Sequence, residues 1–368
     1  LSAAGADDPV KEAGELWKGL TEADLRKDLD SLASEGKFAV SAPPAPKAPL
    51  GDDRPRSGGM LRRRESQGPI RPGDRLASYS LLVAEREETE EAHDLDPWPA
   101  TGDGLPRSAV STEAGGADGI RGFPAGSRTG LFLHDLLRQL DFTCAKRDVL
   151  EHLAERNLRD YGFDGSWKGV VADTLEKIVS IPFVPEDPSC RLAAVGRKDR
   201  LQEVEFHFPM KTITVEKLAE ALKIEGAWAD VSSAPQMIGR LQFQPTRGYM
   251  KGFLDLVFRH GGRYYLVDWK SNFLGTERSD YGRDALKAEM LRSHYYLQCA
   301  IYTLALHRYL GTRIPDYHYD RHFGGVYYLF LRGMEPSWGT DSGVYRERPP
   351  LAAVERLAAL MMKGGDPS

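Results

Sequence analysis

The sequence predicts an α/β fold in which a mixed central sheet is flanked by helices. Alternating apolar residues predict strands at 201–210, 248–260 and 263–272. Helical periodicity lies between and after them, at 130–142, 214–224 and 283–310. The segment 324–333 is apolar enough for a strand buried on both faces. Strands that alternate with helices in this way are typical of an α/β domain.

The first helix, GLFLHDLLRQLDF at 130–142, has Ser127 or Thr129 available as its N-cap. The strands 248–260 and 263–272 are joined through Gly261 and Gly262. Two β-rich arms around a glycine pair predict a tight hairpin, because glycine adopts positive φ without strain.

Composition limits the classes of protein to consider. The 368 residues carry a formal net charge of −5, and 28% of them are charged. The chain is therefore not a polycation, and any surface that binds nucleic acid must be local. No stretch approaches 18 apolar residues, so we expect no membrane partner.

The chain has three cysteines, Cys144, Cys190 and Cys299, which lie far apart. This number and spacing argue against a disulfide framework and fit a reducing cytoplasm. Three thiolates are also too few for a four-cysteine iron–sulfur cluster. No Walker A glycine loop and no HExxH zinc signature occurs, so the chain itself is not expected to bind ATP or catalytic zinc by those routes.

The chain divides into three predicted parts. Residues 1–40 have a helical pattern, and 41–75 are rich in Pro, Gly and Arg, which predicts a flexible linker. Residues 76–368 form the main domain, with an ordered core expected at about 127–362. The first residue is Leu, which suggests a segment of a longer protein.

The hairpin carries the most informative residues. Asp268 and Lys270 are two apart on one strand, so their side chains leave the same face, and Asp255 lies on the paired strand. Carboxylates suit Mg²⁺ or Mn²⁺, and a neighbouring lysine can orient water and stabilise charge on a phosphate. The alternative is a solvated ion pair at a strand end. A carboxylate such as Asp255 inside an apolar strand favours the metal site.

Three other polar features are ambiguous by spacing. His134 lies on a largely apolar helix, where a histidine is more often a satisfied core residue than a ligand. His294, Gln298 and Tyr302 recur every fourth residue and predict a polar stripe, which either lines a DNA groove or forms an interior hydrogen-bond chain.

The third is a strand in which Glu203 and Glu205 alternate with apolar residues, so both glutamate side chains are predicted to lie on the same face of the strand. A solvated face is the default interpretation. A third carboxylate near the metal is the alternative.

Three blocks together resemble a known family. GYMKGFLDLVFRHGGRYYLVDWKSNFLG, HYYLQCAIYTLALHRYL and HFGGVYYLFLRGM are similar to the C-terminal nuclease domain of the RecB family, the beta subunit of exodeoxyribonuclease V. That domain belongs to the restriction-endonuclease-like nucleases. The resemblance runs from about residue 76 to the end, and residues 1–50 resemble more faintly the end of the family's helicase part.

The resemblance implies roles for individual residues. The family's Asp and Asp/Glu-x-Lys pattern falls on Asp255, Asp268 and Lys270. Its Gly-x-x-x-His motif falls on Gly130 and His134, which implies that His134 is a metal ligand and reverses the preference from spacing.

Further residues follow from the same motifs. The backbone carbonyl of Trp269 is implied as a further ligand. Gln298 and Tyr302 are implied as residues that line the site and contact DNA. The family's acidic strand falls on Glu203 or Glu205, and we assign Glu205 to the site-lining group although the pattern does not separate the two. Related domains often carry a glutamate where this chain has Arg138, which puts a supporting role at that position in doubt.

The resemblance also implies an activity and partners. We expect Mg²⁺-dependent hydrolysis of DNA, with Mn²⁺ or Ca²⁺ able to replace Mg²⁺ in binding, and ATP used only by an upstream helicase part. The implied partners are RecC and RecD subunits and the RecA recombinase, in DNA repair and recombination. One alternative is a non-catalytic module that docks DNA or the recombinase, which would be expected to lose Asp255, Asp268 or Lys270. A stand-alone nuclease such as a junction resolvase is another, and it would lack the Pro/Arg linker.

Overall fold

The structure is a computed structural model. It describes residues 74–83, 119–184, 186–223, 238–239, 241 and 243–362, together with 21, 23–24, 26–27 and 30–31. Residues 1–67 and 68–368 form two compact units. In the first unit, the described residues from 23 to 31 are helical, and Thr21 Oγ1 accepts the backbone N–H of Asp24. The predicted linker at 41–75 lies outside the described residues, except that residues 74 and 75 begin the first strand.

The second unit has a six-stranded sheet. Its strands are β1 Asp74–Ala77, β2 Arg200–Ile213, β3 Thr246–His260, β4 Arg263–Lys270, β5 Phe323–Phe330 and β6 Val344–Glu347. Its helices are α1 Tyr79–Val83, α2 Ser127–Gln139, α3 Arg147–Asp160, α4 Lys168–Ser180, α5 Val215–Ala221, α6 Arg283–Arg292, α7 Tyr295–Arg313, α8 Tyr319–His322 and α9 Leu351–Met361. None of the helices in this described part is both long and apolar enough to cross a membrane.

Strand β3 organises the sheet. One of its edges pairs antiparallel with β2 over almost its full length. Its other edge pairs parallel with β1 at residues 247–250 and antiparallel with β4 at residues 256–260. Strand β5 then joins β4 in parallel, and β6 joins β5 antiparallel. The predicted mixed sheet flanked by helices is therefore confirmed. Residues 251–255 of β3 lie between the segments that pair with β1 and β4.

Two hydrophobic cores cover the sheet. Helices α2, α3 and α4 pack with Leu256, Val267 and Trp269 on one face. Helices α5, α6, α7 and α9 pack with Met250, Leu266 and other residues on the opposite face. Burial of apolar area on both faces stabilises the layered arrangement, at about 25 cal/mol per Å² removed from water.

The hairpin forms as predicted. Gly261 and Gly262 have φ of 55° and 76°, a conformation that side chains with a Cβ adopt only at a steric cost. The predicted helix at 214–224 is α5, and Thr214 caps it by accepting the N–H of Lys217.

Two local predictions were wrong. The helix predicted at 283–310 is broken at Ser293 and His294, because His294 has φ 56° and interrupts the helical hydrogen-bond ladder. The N-cap of α2 is Gly126, which makes no side-chain cap. Ser127 is already helical, and the Thr129 hydroxyl donates instead to the carbonyl of Pro124 at 2.7 Å.

Candidate active site

The candidate site lies where β3 and β4 begin to pair. Leu256 and Val267 form the first pair of the hairpin, and Asp255 and Asp268 are the next residues outward on each strand. Asp255 is 6% exposed, and its Oδ2 accepts the backbone N–H of Trp269 at 2.9 Å. The carboxylate of β3 is therefore held against the backbone of β4 in a position shielded from water.

Helix α2 brings His134 to the same point. Its Nε2 lies 3.1 Å from the carbonyl oxygen of Trp269, and its Nδ1 lies 3.7 Å from Asp255 Oδ2. Neighbouring positions of α2, Phe132 and Leu133, are buried in the core beneath the helix, which fixes the helix on the sheet. The family resemblance implied His134, Asp255 and the carbonyl of Trp269 as metal ligands. The structure brings the three within hydrogen-bonding or near-contact distance of one another.

Strand β2 supplies a second carboxylate. Glu203 has φ 52° and is the residue that faces Asp255 in the register between the pairs Gln202–Leu256 and Val204–Leu254. One ligand atom each from His134, Glu203 and Asp255 lies within 4.8 Å of the other two. We call these three residues the metal cluster.

The structure separates the two glutamates that the sequence left unresolved. Glu205 does not join the metal cluster. Its Oε1 lies 2.7 Å from Lys251 Nζ and 3.2 Å from His207 Nε2, on an exposed part of the strand. The hydrogen bond from Lys251 lowers the pKa of Glu205, and the charge of Lys251 acts in the same direction. Glu203, which the site-lining assignment passed over, is the glutamate beside Asp255.

Asp268 and Lys270, the residues on either side of Trp269 in β4, form a buried pair, and Asp268 is not one of the three residues of the metal cluster. Lys270 Nζ lies 2.7 Å from Asp268 Oδ2, and the exposed fraction is 0% for Asp268 and 2% for Lys270. The ammonium also stands 4.0 Å from the ring centroid of Tyr295 and 5.6 Å from that of Tyr328. The solvated surface pair that the sequence left as an alternative is excluded, because both side chains are removed from water.

The predicted polar stripe is divided. His294 precedes α7, and its Nδ1 lies 3.1 Å from the Tyr296 hydroxyl. Gln298 and Tyr302 lie on α7 and are 0% and 3% exposed. The Tyr302 ring packs edge-on against Phe206 of β2, with centroids 5.6 Å apart. Their burial favours the interior interpretation of the stripe over an open DNA groove.

Two arginines that were not predicted as site residues lie near the candidate site. Arg138, one turn after His134, makes a 2.7 Å ion pair with Asp135. This hydrogen bond raises the pKa of Arg138, and the charge of Glu203 contributes in the same direction. The departure from the family at this position therefore places a cation within electrostatic reach of the cluster.

The second is Arg332, which is 1% exposed. Its guanidinium donates to the carbonyl of Ser271, the residue after Lys270, and to carbonyls that precede α2. It thus links the chain segment that leads to His134 with the end of β4. A sequence gives no signal for this role, because the acceptors are all backbone atoms.

The donor set fits a hard divalent cation. Two carboxylates, one imidazole and one backbone carbonyl are oxygen-rich, and Mg²⁺ and Mn²⁺ favour such sets. The described residues offer no sulfur donor in the cluster, as a soft metal would favour. Carboxylates this close repel one another, and a cation between them removes the repulsion. The residues therefore fit the metal that the sequence predicted.

Comparison with known proteins finds related chains. No model of a known protein family matches the sequence. The chain is 38% identical over 227 residues to the RecBCD enzyme subunit RecB of Escherichia coli, covering 62% of this chain and 18% of that protein. It is 39% identical over 242 residues to RecB of Haemophilus influenzae, covering 65% and 19%. With RecB of Mycobacterium tuberculosis it shares 31% identity over 318 residues, covering 79% and 29%.

The matches therefore span most of this chain but only about a fifth to under a third of the relatives' length. This share fits a C-terminal nuclease domain within a much longer subunit. By these similarities, the chain belongs to the RecB family.

Proposed function

We propose that this chain is a metal-dependent DNA nuclease, the nuclease part of a RecBCD-type enzyme in double-strand-break repair and recombination. The observation that carries the proposal is the metal cluster, which contacts the backbone of Trp269, together with the buried pair of Asp268 and Lys270 that flanks Trp269 in β4. Buried charges are costly unless they are used or compensated, and here several converge at one edge of a hairpin. Hard-metal ligands with a nearby cation are suited to phosphodiester hydrolysis, because both stabilise the negative charge that develops on the phosphate.

The chain's residues have distinct roles in the proposed reaction. His134, Glu203, Asp255 and the carbonyl of Trp269 would hold Mg²⁺, with Asp268 as a further ligand. When bound, Mg²⁺ supplies Lewis-acid stabilisation of charge on the scissile phosphate. The Asp255 carboxylate is oriented before any metal arrives, because the N–H of Trp269 holds one of its oxygens.

Lys270 supplies the cation of the site. Its ammonium is held by Asp268 and by the faces of two tyrosine rings, so it needs little reorganisation to stabilise negative charge on a phosphate oxygen. The same ammonium can orient a water molecule for attack on phosphorus. Gln298 and Tyr302 are buried in the core. We propose that they support the site from within the core and do not contact DNA.

The relatives are named subunits of the RecBCD enzyme, and we propose that this chain likewise works with RecC and RecD and on DNA. In that assembly, unwinding and ATP use would belong to a helicase part outside this sequence. Interaction with the RecA recombinase and a cytoplasmic location are further parts of the proposal, supported by the resemblance and by the cysteine pattern.

The test is hydrolysis of linear, end-labelled single-stranded DNA with Mg²⁺ by the chain and by its Asp268→Ala and Asp255→Asn variants. Glu176→Gln is the matched control, since Glu176 is exposed on α4. We expect the parent and control to cut and both site variants to lose at least about 100-fold in rate, as for removal of one electrostatic element of a site. Equal cutting by parent and variants would show that the site is elsewhere.

A calorimetric Mn²⁺ titration of the same proteins gives a readout that does not require turnover. We expect one site in the parent and in Glu176→Gln, and weaker binding in Asp255→Asn. Failure of the parent to bind Mn²⁺ would contradict the proposal.

A further inference from the structure

Among the described residues, helices α2 to α4 leave half of one sheet face open, where Tyr249 is exposed and Arg247, Lys251 and Phe253 are partly buried. From residue 247 to residue 254 of β3, the even-numbered residues Met250 and Leu254 are buried in the core with α7. The odd-numbered residues lie on the other face. The alternation shifts by one position after Asp255, so farther along the strand Leu256 and Phe258 lie on this face and enter the core with α2 to α4, whereas Val257 enters the opposite core. The metal cluster lies at the boundary, because Asp255 is where the open half ends.

The side chains on the open half follow a regular order. Along β3 they are Arg247, Tyr249, Lys251 and Phe253, a cation and an aromatic ring in alternation, and Asp255 of the metal cluster comes next. Tyr249 is 53% exposed, and its neighbour on β1, Leu76, is 61% exposed. Residues two apart on a strand stand about 7 Å from each other, so Tyr249 lies roughly 20 Å from Asp255. We call this row of four residues the β3 row.

More positive charge lies at the far end of the β3 row. An open cavity of about 440 Å³ is lined by Arg247 together with Lys211, Lys217 and Thr212. The two lysine ammonium groups donate to backbone carbonyls, Lys211 to Ala359 and Lys217 to Thr212, so their charge is not cancelled by these partners. The row therefore runs from a cluster of cations to a cluster of metal ligands.

We propose that the β3 row binds single-stranded DNA and leads it to the metal cluster. This inference rests on the proposed function and assigns the surface along which the substrate strand reaches the site. The cations match backbone phosphates, and the exposed ring of Tyr249 between Arg247 and Lys251 is suited to stack on a base. The occupant is a single strand rather than a duplex, because base faces are free to stack on a side chain only where they are not paired within a helix.

Glu205 moderates this surface. Its carboxylate is paired with Lys251 of the row at 2.7 Å and with His207 at 3.2 Å. A phosphate that approaches Lys251 must compete with Glu205. Neutralising Glu205 therefore makes Lys251 a stronger phosphate partner, which gives the proposal a test in which a substitution tightens binding.

The experiment is fluorescence anisotropy with a labelled oligothymidylate of about 15 nucleotides, within the usual site sizes of such surfaces. It is done in EDTA, so that binding is measured without cleavage. The proteins are the full chain and its variants Tyr249→Ala, Tyr249→Phe, Arg247→Gln and Glu205→Gln. Arg308→Gln is the matched control, since Arg308 is exposed on α7.

We expect Tyr249→Ala to raise Kd roughly 5- to 150-fold, the range for loss of one stacked base, and Tyr249→Phe to restore affinity because it keeps the ring. Arg247→Gln should lower the slope of log affinity against log salt by about 0.7, as for one phosphate contact on a single strand. Glu205→Gln should lower Kd, and Arg308→Gln should match the parent. With a duplex of the same length, Tyr249→Ala should have no effect.

The proposal is overturned if the parent does not bind the oligonucleotide, if Tyr249→Ala binds it as the parent does, or if the same loss occurs with duplex DNA. These results are independent of catalysis. A chain that cuts DNA but shows no dependence on Tyr249 refutes the β3 row and leaves the proposed nuclease standing. A chain that binds through Tyr249 but cuts no DNA refutes the nuclease and leaves the row standing.

Discussion

Replacing Glu203 by glutamine removes one of two carboxylates whose oxygens stand within 4.8 Å of each other. At that separation two unit charges repel by about 3.5 kcal/mol if the effective dielectric constant is 20. Glu203 is exposed and Arg138 lies within electrostatic reach, so solvent and the arginine screen much of this repulsion. We therefore expect Glu203→Gln to raise the free energy of unfolding of the metal-free chain by about 1–2 kcal/mol.

Glu205→Gln is the control for this prediction, because its effect on the free energy of unfolding should not have the same sign. Glu205 is exposed and paired with Lys251, so its replacement removes an attraction instead of a repulsion. Exposed ion pairs contribute little to stability, so the free energy of unfolding should stay the same or fall slightly. Two glutamates two residues apart on one strand should thus respond in opposite directions.

Divalent cations should reverse the order of stability, so that the parent becomes more stable than Glu203→Gln. A ligand that binds only the folded chain stabilises it by about 2.7 kcal/mol at 100 times its Kd. The parent and Glu205→Gln should gain this stability from Mg²⁺, whereas Glu203→Gln should gain little at the same concentration. The assay is urea unfolding followed by circular dichroism at about pH 8, once in EDTA and once in Mg²⁺. If Glu203→Gln is less stable than the parent in EDTA, or gains as much from Mg²⁺, the assignment of Glu203 to the metal cluster is wrong.

The remaining predictions concern three other residues. Arg332→Met should lower the free energy of unfolding by about 3–5 kcal/mol, measured by urea unfolding, because it removes the donor to several buried carbonyls; a loss below about 1 kcal/mol would refute the linking role. Lys270→Met should slow DNA cleavage by about 10²- to 10³-fold in a single-turnover assay while Mn²⁺ binding persists, and unchanged cleavage would remove Lys270 from the mechanism. Burial lowers the pKa of His307, so the neutral form is favoured in the folded chain and stability falls as pH drops below about 6.5. Thermal unfolding of His307→Gln should show a smaller acid loss than the parent, and an equal loss would contradict this.

The architecture was largely predictable because its signals are local. Alternation gave β2, β3 and β4, and the glycine pair gave the hairpin, since both depend on residues close in sequence. The strand β1 was missed because a four-residue strand inside a Pro- and Gly-rich context carries no periodic signal. The break before α7 was missed because Ser293 and His294 are ordinary helix residues, and only tertiary packing places His294 at positive φ.

The sequence predicted which kinds of residue form the site better than it predicted which individual residues meet there. Asp268 and Lys270 share a face by strand period, and the structure shows them as a buried pair. His134 was ambiguous by spacing, because nothing in a helix sequence reveals which distant backbone carbonyl it will meet. Glu203 and Glu205 have the same period, and the positive φ that sets Glu203 apart is invisible in the pattern.

The central claim is that β3, β4, β2 and α2 together hold one divalent cation. The most direct measurement is a crystal structure of the chain with Mn²⁺, located by its anomalous scattering. We predict one strong peak in direct coordination with His134, Glu203, Asp255 and the carbonyl oxygen of Trp269, with Asp268 as a further ligand. A peak elsewhere in the domain, or no peak at saturating Mn²⁺, would contradict the claim.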